Sequence, residues 1–349
     1  MSAPDPEEPR AGGPLVGEPL VGEPLVDLAR IRAAAFTLRG VAARTPLVPL
    51  GDPARGHLLK AESLQPIGAF KIRGAYNAAA SLAPEERARG IITYSSGNHA
   101  QGVARAARLL GVPAVIVMPE NAPAIKRARV LADGAEVVTV GNASAERQAV
   151  AERLAAERGL AIIPPYDDDR IIAGQGTCGL EIAEDVPDLA AVLVPIGGGG
   201  LASGVAAAVK ALRPRARVVG VEPELAADAR ESLSRGEIVE WSAEAVSRTI
   251  ADGTRTQALG VRTFAHLRVL LDDIVTVRED EIAAAVRIAA EEARLVVEPS
   301  GALSIAALRF HAAAAGVAGA PGPVVCVVSG GNVDPGAFVT YLQAPIPSA

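Results

Sequence analysis

The sequence predicts an α/β protein with mostly parallel sheets, divided between two domains. Three observations support this prediction. The 349 residues exceed the roughly 100 to 200 expected of a single domain. Half of the residues are hydrophobic and 21% are charged, a composition typical of a folded globular chain. From about residue 28 onward, β-rich apolar runs alternate with helical stretches rich in Ala, Arg and Glu, as expected of parallel α/β folds.

Residues 1–27 are expected to form a flexible leader, because the unit Pro-Leu-Val-Gly-Glu repeats with a period of five residues, which matches neither helix nor strand. The clearest strands are residues 90–94, 114–118, 136–140, 191–196, 217–221 and 324–328. Glycine-containing loops follow three of these strands. Because open α/β sheets bind ligands at the carboxyl ends of their strands, we expect these loops to converge on one cleft.

Charge and cysteine content exclude several classes of protein. Lys and Arg total 34 against 40 Asp and Glu, so a net charge of −6 argues against nucleic acid as a principal partner. Cys178 and Cys326 are far apart and show no CxxC spacing, which predicts neither a disulfide framework nor a thiolate zinc site. The N-terminus lacks the pattern of an export signal, so we expect a cytoplasmic protein.

Residues 189–209 form an uncharged stretch of 21 residues, which is long enough to span a bilayer. Pro195 and the glycines at 197–200 would break such a helix. The stretch therefore predicts a buried strand, loop and helix, and no membrane partner is expected.

Lysine is scarce in this chain. Only four of the 34 basic residues are lysines, so arginine supplies nearly all of the positive charge. An amine can lose its proton and act as a nucleophile, whereas a guanidinium cannot. Lys71 has the apolar neighbours Phe70 and Ile72, which makes it a candidate nucleophile. The alternative is a lysine at a helix edge whose stem packs on apolar surface.

The tetraglycine loop predicts an anion site. Its free N–H groups precede a helix that Leu201 opens, and phosphate is the natural ligand of such a helix N-terminus. A dinucleotide site is the alternative, because Gly197, Gly199 and Ala202 fit the G-x-G-x-x-A pattern and Glu222 lies 20 residues beyond. The loop alone favours an NAD enzyme about as much as an enzyme with a phosphate-bearing cofactor.

Two further motifs follow predicted strands. Ser95-Ser96-Gly97-Asn98-His99 precedes an alanine-rich helix and could bind a carboxylate, although Ser and Asn are also ordinary N-cap residues. Ser329 follows residues 324–328 and could equally belong to a simple turn.

Taken together and in order, these motifs resemble the fold type II pyridoxal-phosphate enzymes, and most closely the serine/threonine dehydratases (ammonia-lyases) and serine racemases. The resemblance runs from Thr45-Pro46-Leu47 to Asp334. It implies the two-domain α/β fold of the tryptophan synthase β type, with open, twisted, mostly parallel sheets. A small domain at residues 90–167 would be inserted into a large domain at residues 28–89 and 168–349, with pyridoxal 5'-phosphate between them.

The resemblance also implies roles for individual residues. Lys71, in the Phe70-Lys71 pair, would bond to the cofactor and take the α-proton of the substrate. Asn98 would hydrogen-bond the phenolic oxygen of the cofactor, and Ser329 would face its pyridine nitrogen. Ser96 would be a second acid or base on the opposite face. The cofactor phosphate would be held by Gly197, Gly198, Gly199, Gly200 and Leu201, and the substrate carboxylate by Ser95, Ser96, Gly97, Asn98 and His99.

The same resemblance implies further properties. Glu222, the carbonyl of Ala226 and Asp228 match the divalent-cation site of the racemases, and oxygen ligands suit Mg²⁺ or Ca²⁺. The alternative is that these acids form a solvated surface. The Tyr166-Asp167 pair favours a dehydratase that converts L-threonine or L-serine to a 2-oxo acid and ammonia. The alternatives are a racemase of serine or another 3-hydroxy amino acid and a dehydratase of another 3-hydroxy amino acid. Family members commonly have Ser where this chain has Ala69. A homodimer is expected.

Overall fold

Two sheets, each covered by helices on both faces, organise the chain. The computed structural model describes residues 24–95, 97–120, 122, 124–141 and 144–348. In chain order the strands are β1 (Leu47–Pro49), β2 (His57–Ala61), β3 (Ile91–Tyr94), β4 (Ala114–Pro119), β5 (Glu136–Val140), β6 (Ala161–Ile162), β7 (Ala191–Pro195), β8 (Arg217–Pro223), β9 (Asp273–Val277) and β10 (Val324–Val328).

The helices complete the alternation. In chain order they are α1 (Leu28–Thr37), α2 (Lys71–Ala80), α3 (Pro84–Arg89), α4 (Asn98–Leu110), α5 (Ala124–Ala132), α6 (Ser144–Arg158), α7 (Asp169–Asp185), α8 (Gly200–Leu212), α9 (Asp228–Arg235), α10 (Ala243–Val246), α11 (Val261–Leu270), α12 (Glu279–Ala293), α13 (Pro299–Phe310) and α14 (Pro335–Leu342). Short 3-10 turns lie between several of them.

The larger sheet has six strands in the order β1-β2-β10-β7-β8-β9. Only β1 runs antiparallel to its neighbour, and the other pairs are parallel. Every residue of β7 and β10 is buried, because helices cover both faces of the sheet. This double coverage explains why these strands are continuous apolar runs instead of alternating patterns.

The smaller sheet has four parallel strands in the order β5-β4-β3-β6 and spans residues 91–162. Its core includes Ala75, Ala78 and Ala79 of α2, which pack with Ala100 and Ile116. Helix α2 precedes the predicted domain boundary at residue 90, yet its apolar face packs with the smaller sheet. The boundaries themselves stay a prediction.

All six predicted strands are present, and β4 and β8 extend one and two residues beyond the predicted ends. The sequence did not indicate β1, β2, β6 or β9. Strands β1 and β6 have only three and two residues, too few for a pattern to be recognised. Strand β2 contains Lys60 among its apolar residues, and β9 begins with Asp273 and contains Thr276.

Most of the predicted leader, residues 1–23, lies outside the described residues. Its last four residues, 24–27, are described and lead into α1. Val26 is buried, and its backbone N–H donates to Nε2 of His266 at 2.8 Å. Val26 packs with Ile31 and Ile172 in a small apolar cluster beside α1. Val26 and Asp27, the N-cap of α1, are thus attached to the folded chain, and the leader itself stays a prediction.

Helices α7 and α8 cross in direct backbone contact. A Cβ atom on Gly204 would lie 2.4 Å from the backbone nitrogen of Gly176, and one on Gly179 would lie 2.7 Å from the Cα of Val205. Only glycine fits at such distances. Because α8 begins at Gly200, this crossing also fixes the position of the glycine loop relative to α7.

The uncharged residues 189–209 are occupied by β7, the glycine loop and most of α8. Within the described part of the chain, no helix has the length and hydropathy needed to cross a bilayer.

Candidate functional site

Lys71 is the first residue of α2, and the turn that presents it is attached to the end of β10. The backbone N–H of Phe70 donates to the carbonyl of Ser329 at 3.0 Å, and Ala69 pairs with Gly330 in an isolated β-bridge. Two motifs that are about 260 residues apart in sequence therefore meet in space. The phenyl ring of Phe70 lies 5.2 Å from the Lys71 Nζ atom.

The Lys71 amine differs from the other lysine amines. Its Nζ atom donates to the carbonyl of Pro165 at 2.7 Å. Burial lowers the pKa of Lys71 to about 8. Among the described residues it pairs with no carboxylate, whereas each of the other lysines does: Lys60 with Glu181, Lys126 with Asp252 and Lys210 with Asp272. Lys71 is thus the lysine best able to supply a neutral amine at moderate pH.

The tetraglycine loop follows β7 and opens α8 with Gly199 in the left-handed region, at φ 90°. A Cβ atom on Gly198 would lie 2.2 Å from the Tyr166 ring. The loop is therefore packed against Tyr166, the neighbour of the Pro165 carbonyl that holds Lys71. Backbone N–H groups at the start of a 13-residue helix form an anion site.

One hydroxyl beside this loop points to a ligand. Thr256 Oγ1 is buried without a hydrogen-bond partner, and it would lie 3.5 Å from a Cβ atom on Gly197. A buried polar atom without a partner is costly, so its presence beside a helix N-terminus fits a phosphate group. The sequence did not single out Thr256, because an isolated threonine carries no pattern.

The second motif lies at the start of α4. Ser96 lies outside the described residues, and Gly97 is the N-cap of the helix. Ser95 Oγ accepts the backbone N–H of Gly97 at 3.4 Å. Asn98 Nδ2 donates to Glu298 Oε1 at 2.7 Å, and Asn98 Oδ1 accepts from Asn332 Nδ2 at 2.8 Å. These bonds hold Asn98 near the loop that follows Ser329.

His99 is buried, and its Nε2 donates to the carbonyl of Ile163 at 3.0 Å. Burial, with a smaller contribution from the charge of Lys71, lowers the pKa of His99 to about 3, so the ring is neutral. Its Nδ1 atom is buried without a partner. Ser329 is also buried, and its hydroxyl donates to the carbonyl of Ser300 at 3.3 Å.

The predicted cation ligands lie at the end of β8. Glu222 is buried and accepts the N–H groups of Ala229 and Arg230 at 3.0 and 2.8 Å. Asp228, the first residue of α9, is also buried, and neither of its carboxylate oxygens has a partner. Burial raises the pKa of both acids. Ala226 is buried in the turn between them.

This arrangement argues against two alternatives, a solvated acidic surface and a dinucleotide site. The two acids are not a solvated surface, because both are buried. Glu222 is also poorly placed for the ribose hydroxyls of a dinucleotide, because its two oxygens already bind backbone N–H groups of α9. No cluster of three or more His, Cys, Asp or Glu side chains suited to a metal occurs among the described residues, so any cation here would depend on backbone carbonyl or water ligands.

Glu298 and Asn332 were not predicted to take part in the site. Asn332 ends the segment Ser329-Gly330-Gly331-Asn332 that follows β10, so its position beside Ser329 could have suggested a role in the site. Glu298 interrupts an apolar run directly before Pro299, and a lone acid in such a run is a signal that could have been used. The structure places it against Asn98.

Asp167 contacts the start of α11. Its carboxylate accepts the backbone N–H groups of Val261, Arg262 and Thr263 at 2.8 to 3.2 Å, which caps the N-terminus of α11. Its neighbour Tyr166 packs on the glycine loop. The chain that follows β6 of the smaller sheet therefore contacts both that loop and the start of α11.

Comparison with known proteins identifies the family. The profile described as "Pyridoxal-phosphate dependent enzyme" matches residues 38–330. The chain is 45% identical over 285 residues to the L-threo-3-hydroxyaspartate ammonia-lyase of Saccharomyces cerevisiae, covering 81% of this chain and 85% of that protein. It is 43% identical over 313 residues to the L-threonine ammonia-lyase of Thermotoga maritima, covering 88% and 76%.

Among solved structures, maize serine racemase superposes with a TM-score of 0.84 at 37% identity, covering 90% of this chain and 96% of that one. The cofactor of the family fits the residues present: a lysine without an acidic partner, a glycine loop at a helix N-terminus and an unpartnered hydroxyl beside it. The predicted fold class is confirmed. The chain belongs to the family of fold type II pyridoxal-phosphate dependent enzymes.

Proposed function

We propose that this protein is an ammonia-lyase that converts L-threonine or L-serine to a 2-oxo acid and ammonia. The observation that carries the proposal is Lys71, whose amine has no carboxylate partner among the described residues and whose pKa burial lowers to about 8. Relatives at 43 to 46% identity are named ammonia-lyases, which supports the reaction class.

The residues that would hold the cofactor surround Lys71. Gly197 to Leu201, with the hydroxyl of Thr256, would bind the phosphate, and Asn98 and Ser329 would lie at the edges of the ring. Pyridoxal phosphate supplies an electron sink that stabilises negative charge at the α-carbon of an amino acid. Ser329 presents a neutral hydroxyl, which cannot hold a ring nitrogen protonated as strongly as a carboxylate does.

The chain's own residues would perform the proton transfers. The neutral Nζ of Lys71 would accept the α-proton of the substrate. Ser95, Gly97, Asn98 and His99 would bind the substrate carboxylate through the N-terminal turn of α4, whose N–H groups attract anions. The β-hydroxyl would take up a proton and leave as water, and the resulting enamine would react with water to give the 2-oxo acid and ammonia.

A racemase is the second candidate, because maize serine racemase is among the similar structures. Racemisation needs a proton donor on the face opposite Lys71. Ser96, which the resemblance to the racemases assigns to that face, would fill this role.

We further propose a Mg²⁺ or Ca²⁺ ion bound by Glu222, the carbonyl of Ala226 and Asp228. The two unpartnered oxygens of buried Asp228 support it, because a buried carboxylate without a partner is costly and hard cations prefer oxygen ligands. A cytoplasmic location and a homodimer complete the proposal. Both cysteines are buried and free, which suits a reducing compartment.

The deciding experiment is a substrate panel. Purified protein is incubated with L-threonine, L-serine and L-threo-3-hydroxyaspartate, while 2-oxo acid, ammonia and D-amino acid are measured separately. We expect 2-oxo acid and ammonia in equal amounts and a yellow protein. Racemised substrate without ammonia would support the second candidate, and a colourless protein without either product would overturn both.

A further inference from the structure

Glu298 is a buried carboxyl group that the proposed reaction does not use. It is 3% exposed and stands directly before α13, yet its side chain does not cap that helix. Its Oε1 atom lies 2.7 Å from Asn98 Nδ2. A Cβ atom on Gly330 would approach this oxygen to 2.3 Å, so the glycine leaves room for the carboxyl group. The side chain therefore occupies a fitted position beside the proposed cofactor site.

The bonds around Asn98 fix the orientation of its amide. Asn332 Nδ2 donates to Asn98 Oδ1 at 2.8 Å and also to the carbonyl of Ile67 at the same distance. Glu298 accepts from the opposite end of the Asn98 amide. A flipped amide would place Asn98 Oδ1 against the carboxylate oxygen and Nδ2 against the Asn332 donor, so both bonds would be lost. One N–H of Asn98 then remains for a ligand.

Charged groups from two other elements act on Glu298. Lys126 of α5 pairs with Asp252, the first residue of the 3-10 turn Asp252–Thr254, and both influence Glu298. Burial is the largest effect, and together with Asp252 it raises the pKa of Glu298 to about 7. Lys126, the amide of Asn98 and the backbone N–H of Asn332 act in the opposite direction. The carboxyl group is therefore poised to change charge at neutral pH.

We propose that Glu298 is a positioning residue for Asn98, and that its carboxylate holds the Asn98 amide with one N–H directed at the phenolic oxygen of the cofactor. This inference rests on the proposed function, since it takes Asn98 to contact that oxygen. A hydrogen bond to an ionised acceptor is roughly twice as strong as a neutral one. Ionisation of Glu298 also places a negative charge near the cofactor, so protonation of Glu298 changes the charge that the bound cofactor experiences.

The test follows the absorption spectrum of the bound cofactor as a function of pH, together with cofactor affinity. In the wild type we expect a spectral transition with its midpoint near pH 7. Glu298→Gln keeps an acceptor for Asn98 but cannot ionise, so the transition should disappear while the protein still folds and binds cofactor. Glu298→Ala should weaken cofactor binding by about tenfold or more, because the Asn98 amide loses its partner.

Two further variants leave Glu298 unchanged and test the direction in which neighbouring charges move the midpoint of the spectral transition. Asp252→Asn removes a charge that opposes ionisation, so the midpoint should move to lower pH. Lys126→Met removes a charge that favours ionisation, so the midpoint should move to higher pH. Glu292→Gln, which removes an acid paired with Arg309 elsewhere, should leave the midpoint unchanged.

The outcomes separate this inference from the proposed function. A wild type that binds cofactor and releases ammonia, but whose spectrum titrates identically in Glu298→Gln, would overturn the role of Glu298 alone. A wild type that binds no pyridoxal phosphate would overturn the proposed function first. A midpoint that does not move in either Lys126→Met or Asp252→Asn would also contradict the role given to Glu298.

Discussion

The Nζ atom of Lys71 donates a 2.7 Å hydrogen bond to the carbonyl of Pro165, 94 residues further along the chain. This contact ties the first turn of α2 to the residue before Tyr166, whose ring packs on the glycine loop. The proposed nucleophile and the proposed phosphate loop are thus connected through a single dipeptide.

Replacement of Lys71 tests the proposed nucleophile. Lys71→Ala should keep the fold and lose turnover by several orders of magnitude, because a nucleophile acts as a unit with its cofactor. Borohydride reduction and peptide mapping of the wild type should place the pyridoxyl label on Lys71. Lys210→Ala removes a lysine paired with Asp272 and serves as the control. A label on Lys60, Lys126 or Lys210 would contradict the assignment.

The lowered pKa of Lys71 predicts how cofactor uptake depends on pH. Only a neutral amine attacks a carbonyl, so cofactor-free protein should bind pyridoxal phosphate faster as pH rises and level off above about 8. A free lysine side chain, with a pKa near 10.4, continues to gain rate beyond that pH and is the control. Stopped-flow absorbance gives both profiles. Equal profiles would show that burial does not lower the pKa of the Lys71 amine.

Gly198 should not tolerate a side chain. A Cβ atom there would lie 2.2 Å from the Tyr166 ring, so Gly198→Ala must displace either the ring or the loop. Overpacking of this kind costs about 1 to 3 kcal/mol, which corresponds to roughly a 5- to 150-fold weaker cofactor affinity. Equilibrium dialysis measures the loss. Combining Gly198→Ala with Tyr166→Ala should restore part of the affinity, and a double variant as weak as the single one would argue against steric displacement.

Replacement of Asp228 tests the proposed cation. In the wild type, Mg²⁺ or Ca²⁺ should raise the melting temperature and a chelator should lower it, because a ligand of the native state stabilises that state, by about 2.7 kcal/mol at 100 times its Kd. Asp228→Asn should abolish both responses. Glu224→Gln, an exposed acid on the adjacent turn, should retain them. Chelator-insensitive melting of the wild type would leave Glu222 and Asp228 without a bound ion.

Ser96 is expected to separate elimination from racemisation. Ser96→Ala should abolish any conversion of L-serine to D-serine, yet leave deamination of L-threonine or L-serine within about tenfold, because elimination needs only the lysine face. Ser95→Ala is the matched comparison, since loss of a carboxylate contact should raise KM for both reactions alike. A thousandfold loss of deamination in Ser96→Ala, with cofactor still bound, would instead assign Ser96 to elimination.

The sequence predicted the fold well because parallel strands that are buried on both faces form unbroken apolar runs, as in β7 and β10. It also indicated Lys71 and the glycine loop, because a nucleophilic amine is a property of lysine and a loop with free backbone N–H groups is typical of consecutive glycines. The partners of Asn98 could not be predicted in this way. Glu298 lies 200 residues from Asn98, and only the folded chain brings the two side chains together.

Pattern reasoning was similarly limited for Thr256, which no motif contains, and it named Asp228 only through the family resemblance. What distinguishes both side chains is that they are buried without a hydrogen-bond partner. That property belongs to the surroundings of an atom and leaves no trace in local sequence. Residues of this kind are found by accounting for buried polar atoms in a structure.

The glycine crossing of α7 and α8 constrains how this enzyme can vary. Contacts between backbone atoms set the position of the loop that opens α8. No change of side-chain rotamer can therefore make room for a methyl group added at Gly204 or Gly179. A substitution at this crossing would disable the enzyme while leaving every residue that touches substrate unchanged. Efforts to redirect its specificity should therefore preserve this crossing and place substitutions elsewhere.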